Sequence, residues 1–353
     1  MPVAAGVTLS HALLIAAAVA GVVLVGWVLL FGTWRAIGLY RIRRAGPRPL
    51  RASRHRIWRE PSSSEVLDAI NGPGGPDGAP VPPFSFLEEH STGSNPCVSV
   101  RDGRGRTWRV KWGNEVRSET FAVRVAWACG YFAEVTHFVP SGVIAGAAHL
   151  LRARECIAPE TGSFCDARFE LDDPRVKKLF EEHSWAWDDN PFVGSPQLVG
   201  LKIVVMLLSN WDTKDRRDVA RGSNTAIFEH PVSRWRREAR YLITDWGGSM
   251  GRWGTNIATR GRWDMNGFEE QTAQFVTGTD SERVVFGYTG QRTADIAHEI
   301  PLAHVRWFVP YVRQLTEPYL RDALAASGAT EEEQVRFSRA LTERIRQLDR
   351  VAR

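Results

Sequence analysis

The chain has 353 residues, 43% hydrophobic and 24% charged, with 45 basic side chains against 40 acidic ones for a net charge of +5. That length suits one bilobal domain or two small ones with a sizeable core, and the charge bias is too mild to argue for nucleic acid as a partner. The four cysteines, at 97, 129, 156 and 165, form no CxxC and the nine histidines are scattered, which argues against a zinc site.

In chain order, residues 1–34 carry no Asp, Glu, Lys or Arg, and nine arginines with no acid follow between Arg35 and Arg59. "ALLIAAAVAGVVLVGWVLLFG" (Ala12 to Gly32) is apolar all round and long enough to cross a bilayer, which takes about 20 residues. Lys and Arg collect on cytoplasmic flanks, so the sequence predicts a single uncleaved N-terminal transmembrane helix with the body in the cytoplasm. Trp27 and Trp34 suit an interfacial belt, and the arginine run reads as a topology signal or a grip on anionic head groups. In a reducing compartment Cys156 and Cys165 stay free thiols; in an oxidising one they could close a small disulfide loop.

After this anchor (1–34) comes a basic juxtamembrane segment and linker (35–83). "SSSEVLDAI" (62–70) predicts a short amphipathic helix, and "NGPGGPDGAPVPP" (71–83) has almost nothing to bury. A β-rich lobe is expected over 84–175. "CVSV" and "TWRVKW" flank the turn-rich "RDGRGR", which predicts a hairpin with Lys111 and Arg109 on one face and Trp108, Val110 and Trp112 on the other. A helix follows from Glu115 to about Cys129, stopped by Gly130, and "YFAEVTHFVP" reads as a strand. A larger helical lobe is expected over 176–353. It opens with the apolar helix 197–210 and ends on "TEEEQVRFSRALTERIRQL", with Thr330 and Glu333 at capping-box spacing. Between these helices, "NTAIF" and "RYLITDWG" predict a strand pair. The whole is α+β, and bilobal behind the membrane helix.

Five residues carry the chemistry. Lys111 ends a strand, Glu119 lies in the first turns of the next helix, Asp212 follows a long apolar helix, Asn224 starts a strand, and Asp245 precedes Gly247 and Gly248. Phosphoryl transfer needs this order. A lysine neutralises nucleotide phosphates, a helix glutamate holds that lysine, an Asp accepts the acceptor's proton, and an Asn and a second Asp hold Mg²⁺ through oxygen. Asp215 and Asp218 are alternative bases, because Asp212 and Asn224 stand twelve apart. Taken singly, each residue has a plainer reading: a solvated strand lysine, helix-surface glutamates paired with Arg117 or Arg124, loop acids, a turn. "WAWDDNPF" (185–192) reads as aromatic packing where two lobes meet, and "GRWGTNIATRGRWDMNGF" (251–268) as a loop beside Asp245 that is either ordinary surface or the acceptor's seat.

At these residues the sequence resembles the atypical branches of the kinase superfamily. "VKWGNEVRSE", with Lys111, Gly113, Asn114, Glu115, Arg117 and Glu119, is similar to a phosphoinositide-kinase pattern. "ITDWGGSMG" resembles the metal-binding Asp-Phe-Gly, with Trp246 in place of Phe. "NWD…N" is closer to spore-coat and HipA-like kinases. The likeness runs over roughly 97–250 by order of motifs. It implies a protein-kinase-like fold, Mg²⁺ and ATP as cofactors, Asp212 as base, Lys111 and Glu119 at the nucleotide, and Asn224 and Asp245 at the metal. The function expected is a membrane-anchored phosphotransferase acting on an acceptor the sequence does not name. The alternative is a noncatalytic pseudokinase or scaffold tethered to the membrane.

Overall fold

The computed structural model describes residues 54–61, 67–91, 93–178, 184–213, 224–254, 256 and 259–353, with Gly21 and Gly26. The chain divides into two units, Met1–Leu50 and Arg51–Arg353. In the first, Gly21 and Gly26 are helical with open space about each α-carbon. The rest of the predicted span lies outside the described residues, and among those described no helix is long and apolar enough to cross a membrane. For the described residues the expected architecture is therefore corrected to an α+β fold in which no helix can cross a membrane, and within them the single-pass localisation and the membrane as partner have no support. The described end of the arginine flank belongs to the fold. Arg54–Arg56 form strand β1, and Arg56 pairs with the buried Glu238 at 3.4 Å.

In the second unit, β2 (Phe84–Glu89), β3 (Cys97–Arg101), β4 (Thr107–Lys111), β5 (Thr136–Ala145) and β6 (Ser163–Asp172) close a barrel in the order β2-β3-β4-β6-β5. Alternation drives it. Trp108 and Val110 are wholly buried and Trp112 nearly so, inside a core with Phe84, Phe164 and Phe169. Fully burying one such side chain contributes about 1.5–3 kcal/mol. Arg109 and Lys111 are left on the other face of β4, opposite Glu170 and Arg168 of β6 in the antiparallel register.

Helix α1 (Val116–Ala128) packs on β5 and β6 and is buried along nearly its whole length. It stops where Gly130 takes φ +92°, a conformation L side chains resist; a Cβ there would also stand 2.4 Å from the Arg59 carbonyl oxygen. The proline- and glycine-rich segment read as a linker forms two short 3₁₀ turns, Gly72–Gly74, which packs against this helix, and Pro76–Gly78, which packs against the first. Its backbone does the work that apolar side chains do elsewhere. Buried Arg124 donates to the Ala69 and Ile70 carbonyls just before it, and Arg106 donates to those of Asp77 and Ala79. Residues 67–70, the described part of the expected short helix 62–70, are coil and turn.

β7 (Lys177–Lys178), β8 (Thr225–Pro231) and β9 (Arg237–Ile243) join β1 in a sheet ordered β1-β9-β8-β7. Helix α2 (Pro196–Leu207) is capped by Ser195 and buried on most sides, as its unbroken apolar run requires. Then come α3 (Met265–Thr272), β10 (Val276–Thr279), β11 (Arg283–Phe286), α4 (Thr293–Ala297), β12 (Ile300–Pro301), α5 (Leu302–Val312), α6 (Glu317–Ala325) and α7 (Glu331–Ala352). The capping box at Thr330 and Glu333 is formed in both directions. All four cysteines are free, Cys97 and Cys129 buried and Cys165 exposed.

Candidate functional site

β4 delivers Lys111 to the wall of a cavity of about 200 Å³ that is also lined by Glu119 from α1 and by Asp245 just beyond β9. The expected lysine–glutamate partnership is crossed. Lys111 Nζ lies 3.5 Å from Glu170 Oε2, while Glu119 forms an ion pair with Arg168. Arg168 in turn donates to Glu170 at 3.1 Å. Glu119, Arg168 and Glu170 are all nearly buried, and Lys111 keeps 29% of its side chain exposed. The lysine is therefore held by a strand residue, and the helix glutamate holds an arginine that the sequence reading did not single out.

Asp245 is fixed by a local turn. Its Oδ1 accepts the Gly247 amide at 3.0 Å. Gly248 is pressed against the neighbouring segment, where an added Cβ would lie 2.7 Å from Asn210 Oδ1 and 3.0 Å from the Asp212 Cβ. Asn210 ties the two segments together by donating from Nδ2 to the Asp245 carbonyl at 3.2 Å. Asp212 follows on, its carboxylate accepting from Gln291 Nε2 at 2.9 Å. Asn224 donates to the Asp212 carbonyl at 2.5 Å, and its buried Oδ1 has no hydrogen-bond partner among the described residues. Lys111, Glu119 and Asp245 thus share one cavity, and Asp212 and Asn224 are bonded or packed onto the turn that carries Asp245. Asp215 and Asp218 lie outside the described residues.

The loop facing the cavity is Gly93-Ser94-Asn95, between β2 and β3, and not the "RDGRGR" hairpin. Asp102 closes that hairpin on itself, accepting from the Arg104 and Arg106 amides and from Trp108 Nε1. Asn95 instead donates to Glu115 at 2.6 Å, and Glu115 pairs with Arg262 at 2.6 Å, so the segment after Asp245 is latched to the start of α1. Arg260 and Arg262 lie 4.8 and 5.0 Å from the Trp211 ring centre, which fastens that segment beside Asp212 as well. Trp185 and Trp187 stack edge to face at 5.0 Å, and Trp185 donates to the Leu242 carbonyl, a packing role.

A second cavity, of about 410 Å³, shares Arg109, Glu134 and Glu170 with the first and adds Val176, Phe228 and Leu242 as apolar lining. A cavity of about 1130 Å³ lies elsewhere, around Gly72, Trp127, Phe132 and Tyr319, and none of the five residues lines it. Electrostatics mark the smaller pair. Burial works against the charge of Arg109, yet the Glu170 carboxylate, with Glu134 beside it, outweighs it and holds the guanidinium above its usual range. Burial pushes the Cys97 thiol up, so it stays protonated beside two cations. His230, on the wall of the second cavity, is driven down to about 4 by burial and by Arg240, and is neutral at pH 7.

The expectation of a membrane-anchored kinase-like phosphotransferase, with its tethered pseudokinase or scaffold alternative, is corrected on two counts. No membrane-crossing helix is found among the described residues. Nor does any group of three or more His, Cys, Asp or Glu side chains that could hold a metal ion occur among them. No family model, no curated protein and no solved structure matches the chain, so a functional reading rests on the geometry of the cleft itself.

Proposed function

We propose that the paired cavities bind ATP, with the base and sugar in the larger and the phosphates in the smaller, beside Lys111. The observation that carries this is that Lys111 and Asp245 line one 200 Å³ cavity that shares three lining residues with a 410 Å³ neighbour of more apolar floor. A lysine held by a single partner among the described residues, at 3.5 Å, and left partly exposed is available to phosphate oxygens. Mg²⁺ fits this arrangement as an ion carried in by the nucleotide. It is usually bound through one or two carboxylates plus substrate phosphates, and seldom by an all-protein cage. The oxygens suited to it are the Asp245 carboxylate and the unpartnered Asn224 Oδ1. The ion would neutralise phosphate charge.

The test is the melting temperature of the full chain with and without millimolar ATP and MgCl₂. A ligand that binds only the folded state at a hundred times its Kd stabilises by about 2.7 kcal/mol, which gives a clear shift. Lys111→Ala and Asp245→Ala should each remove most of it. No shift in the parent chain would end the reading.

An ATP-dependent enzyme is the reading one step further, and one observation favours it. Asp212 is oriented from two sides, with Gln291 Nε2 on its carboxylate and its own amide 3.3 Å from Asn210 Oδ1. A carboxylate held in that way is suited to accept a proton from an acceptor hydroxyl. Asp212→Asn should then keep the ATP-induced shift and lose ATP turnover. Equal turnover in parent and variant would remove Asp212 from any chemistry.

A further inference from the structure

Arg109 stands where the two cavities meet. It lines both of them, whereas Lys111 lines only the smaller. Alternation along β4 aims the two side chains the same way, away from the core that takes Trp108, Val110 and Trp112. Three cations surround one carboxylate there. Glu170 is 3.1 Å from Arg168, 3.5 Å from Lys111 and 3.9 Å from Arg109. Arg168 has Glu119 as a second partner. Arg109 has the longest of the three contacts, too long for a hydrogen bond; Glu134 and Cys97 also face it, and its buried Nε has no hydrogen-bond acceptor among the described residues. A charged donor so placed has unspent capacity, and a planar guanidinium matches phosphate oxygens in a two-point contact.

Resting on the ATP reading above, we propose that Arg109 binds the phosphate attached to the sugar, and so makes the cleft select nucleotides over nucleosides. A ligand whose base and sugar fill the larger cavity, and whose phosphates reach Lys111 in the smaller, must pass Arg109 between the two. The first phosphate is the group that lies at that junction. Lys111 then serves the phosphates further out, and the two cations divide the chain of phosphates between them. Glu170 faces both cations, 3.5 Å from Lys111 and 3.9 Å from Arg109.

The division is read by titrating the full chain calorimetrically with adenosine, AMP and ATP, the nucleotides with and without MgCl₂. The parent should bind AMP about ten- to a hundredfold more tightly than adenosine, the worth of a hydrogen bond to a charged group. Arg109→Gln should bring AMP down to the level of adenosine while keeping ATP tighter than AMP. Lys111→Met should do the reverse, keeping the AMP preference and losing the extra affinity of ATP. Arg109→Lys, which restores charge without the fork, should recover part of the AMP preference, and it also covers the case in which Arg109→Gln folds poorly. An unchanged ratio of AMP to adenosine in Arg109→Gln, with ATP still bound, overturns this assignment and leaves the ATP reading standing. Absence of binding by all three ligands to the parent overturns both.

Discussion

Two buried arginines show how differently the two halves of the second unit handle charge. Arg168, in the barrel, is answered by the carboxylates of Glu119 and Glu170 at the edge of the cleft. Arg344, on α7, is wholly buried with no carboxylate partner among the described residues. It donates to the Leu207 and Phe268 carbonyls and to the Ser209 and Thr272 hydroxyls, and lies against the rings of Phe268, Trp253 and Phe275. One arrangement keeps opposite charges together beside solvent, where an anionic ligand can redistribute them. The other fixes a backbone. Ser209 has φ +56°, a left-handed conformation costly for a residue with a side chain, and it directly precedes Asn210, Trp211 and Asp212. Arg344 holds that turn from behind.

The comparison predicts its largest effect at Arg344. Arg344→Ala leaves several buried acceptors without donors, each worth about 1–3 kcal/mol, so a loss of about 4 kcal/mol is expected in urea unfolding. A loss below about 1 kcal/mol would show that the turn before Asp212 holds itself. Next comes His137 on β5, a group the barrel keeps neutral. Burial, with Arg124 and Arg106 nearby, drives its pKa down to about 4 from 6.5. The unfolded chain then binds the extra proton first, so stability is full above pH 6.5, falls as pH drops, and levels off below about 4. At about 1.4 kcal/mol per unit, this contributes at most about 3 kcal/mol. His137→Gln should flatten the urea midpoint over that window relative to the parent; an unchanged slope would place the cause elsewhere.

A smaller effect is expected at Glu119. Glu119→Gln removes one of two partners of Arg168 and should cost about 2 kcal/mol, less than the 3–5 typical of a buried ion left alone. The double variant Glu119→Met with Arg168→Met should lose more than Glu119→Gln, because it also takes from the nearly buried Glu170 the donor it has at 3.1 Å. Smallest of all is Lys111→Ala without nucleotide. Lys111 is partly exposed and Glu170 keeps Arg168 at 3.1 Å, so the loss should stay within about 1 kcal/mol and the melting temperature should move little.

The local patterns were readable in the sequence and the long-range ones were not. The alternation in "TWRVKW", the helix after Glu115 and the capping box at Thr330 each depend on neighbours a few residues apart, and each is present. The partners of Lys111 depend on which strand lies beside β4. That strand is β6, more than fifty residues downstream, so Glu170 and Arg168 carried no signal of their own. The cleft loop was missed for a similar reason. "RDGRGR" looks more like a glycine loop than "HSTGSNP", and only the barrel's closure decides which faces the cavity. The packed segment 71–83 was misjudged because its value lies in carbonyl groups, which a count of apolar side chains ignores. On an amphipathic helix Arg344 reads as solvated charge, and nothing local says otherwise.

The central claim is tested most directly by a crystal structure of the full chain grown with Mg²⁺ and a non-hydrolysable ATP analogue. The account predicts phosphate density within hydrogen-bond reach of Lys111 Nζ and the Arg109 guanidinium, with the base against Phe228 and Leu242. Density for the analogue in the 1130 Å³ cavity near Tyr319, with the paired cavities holding only water, would contradict it.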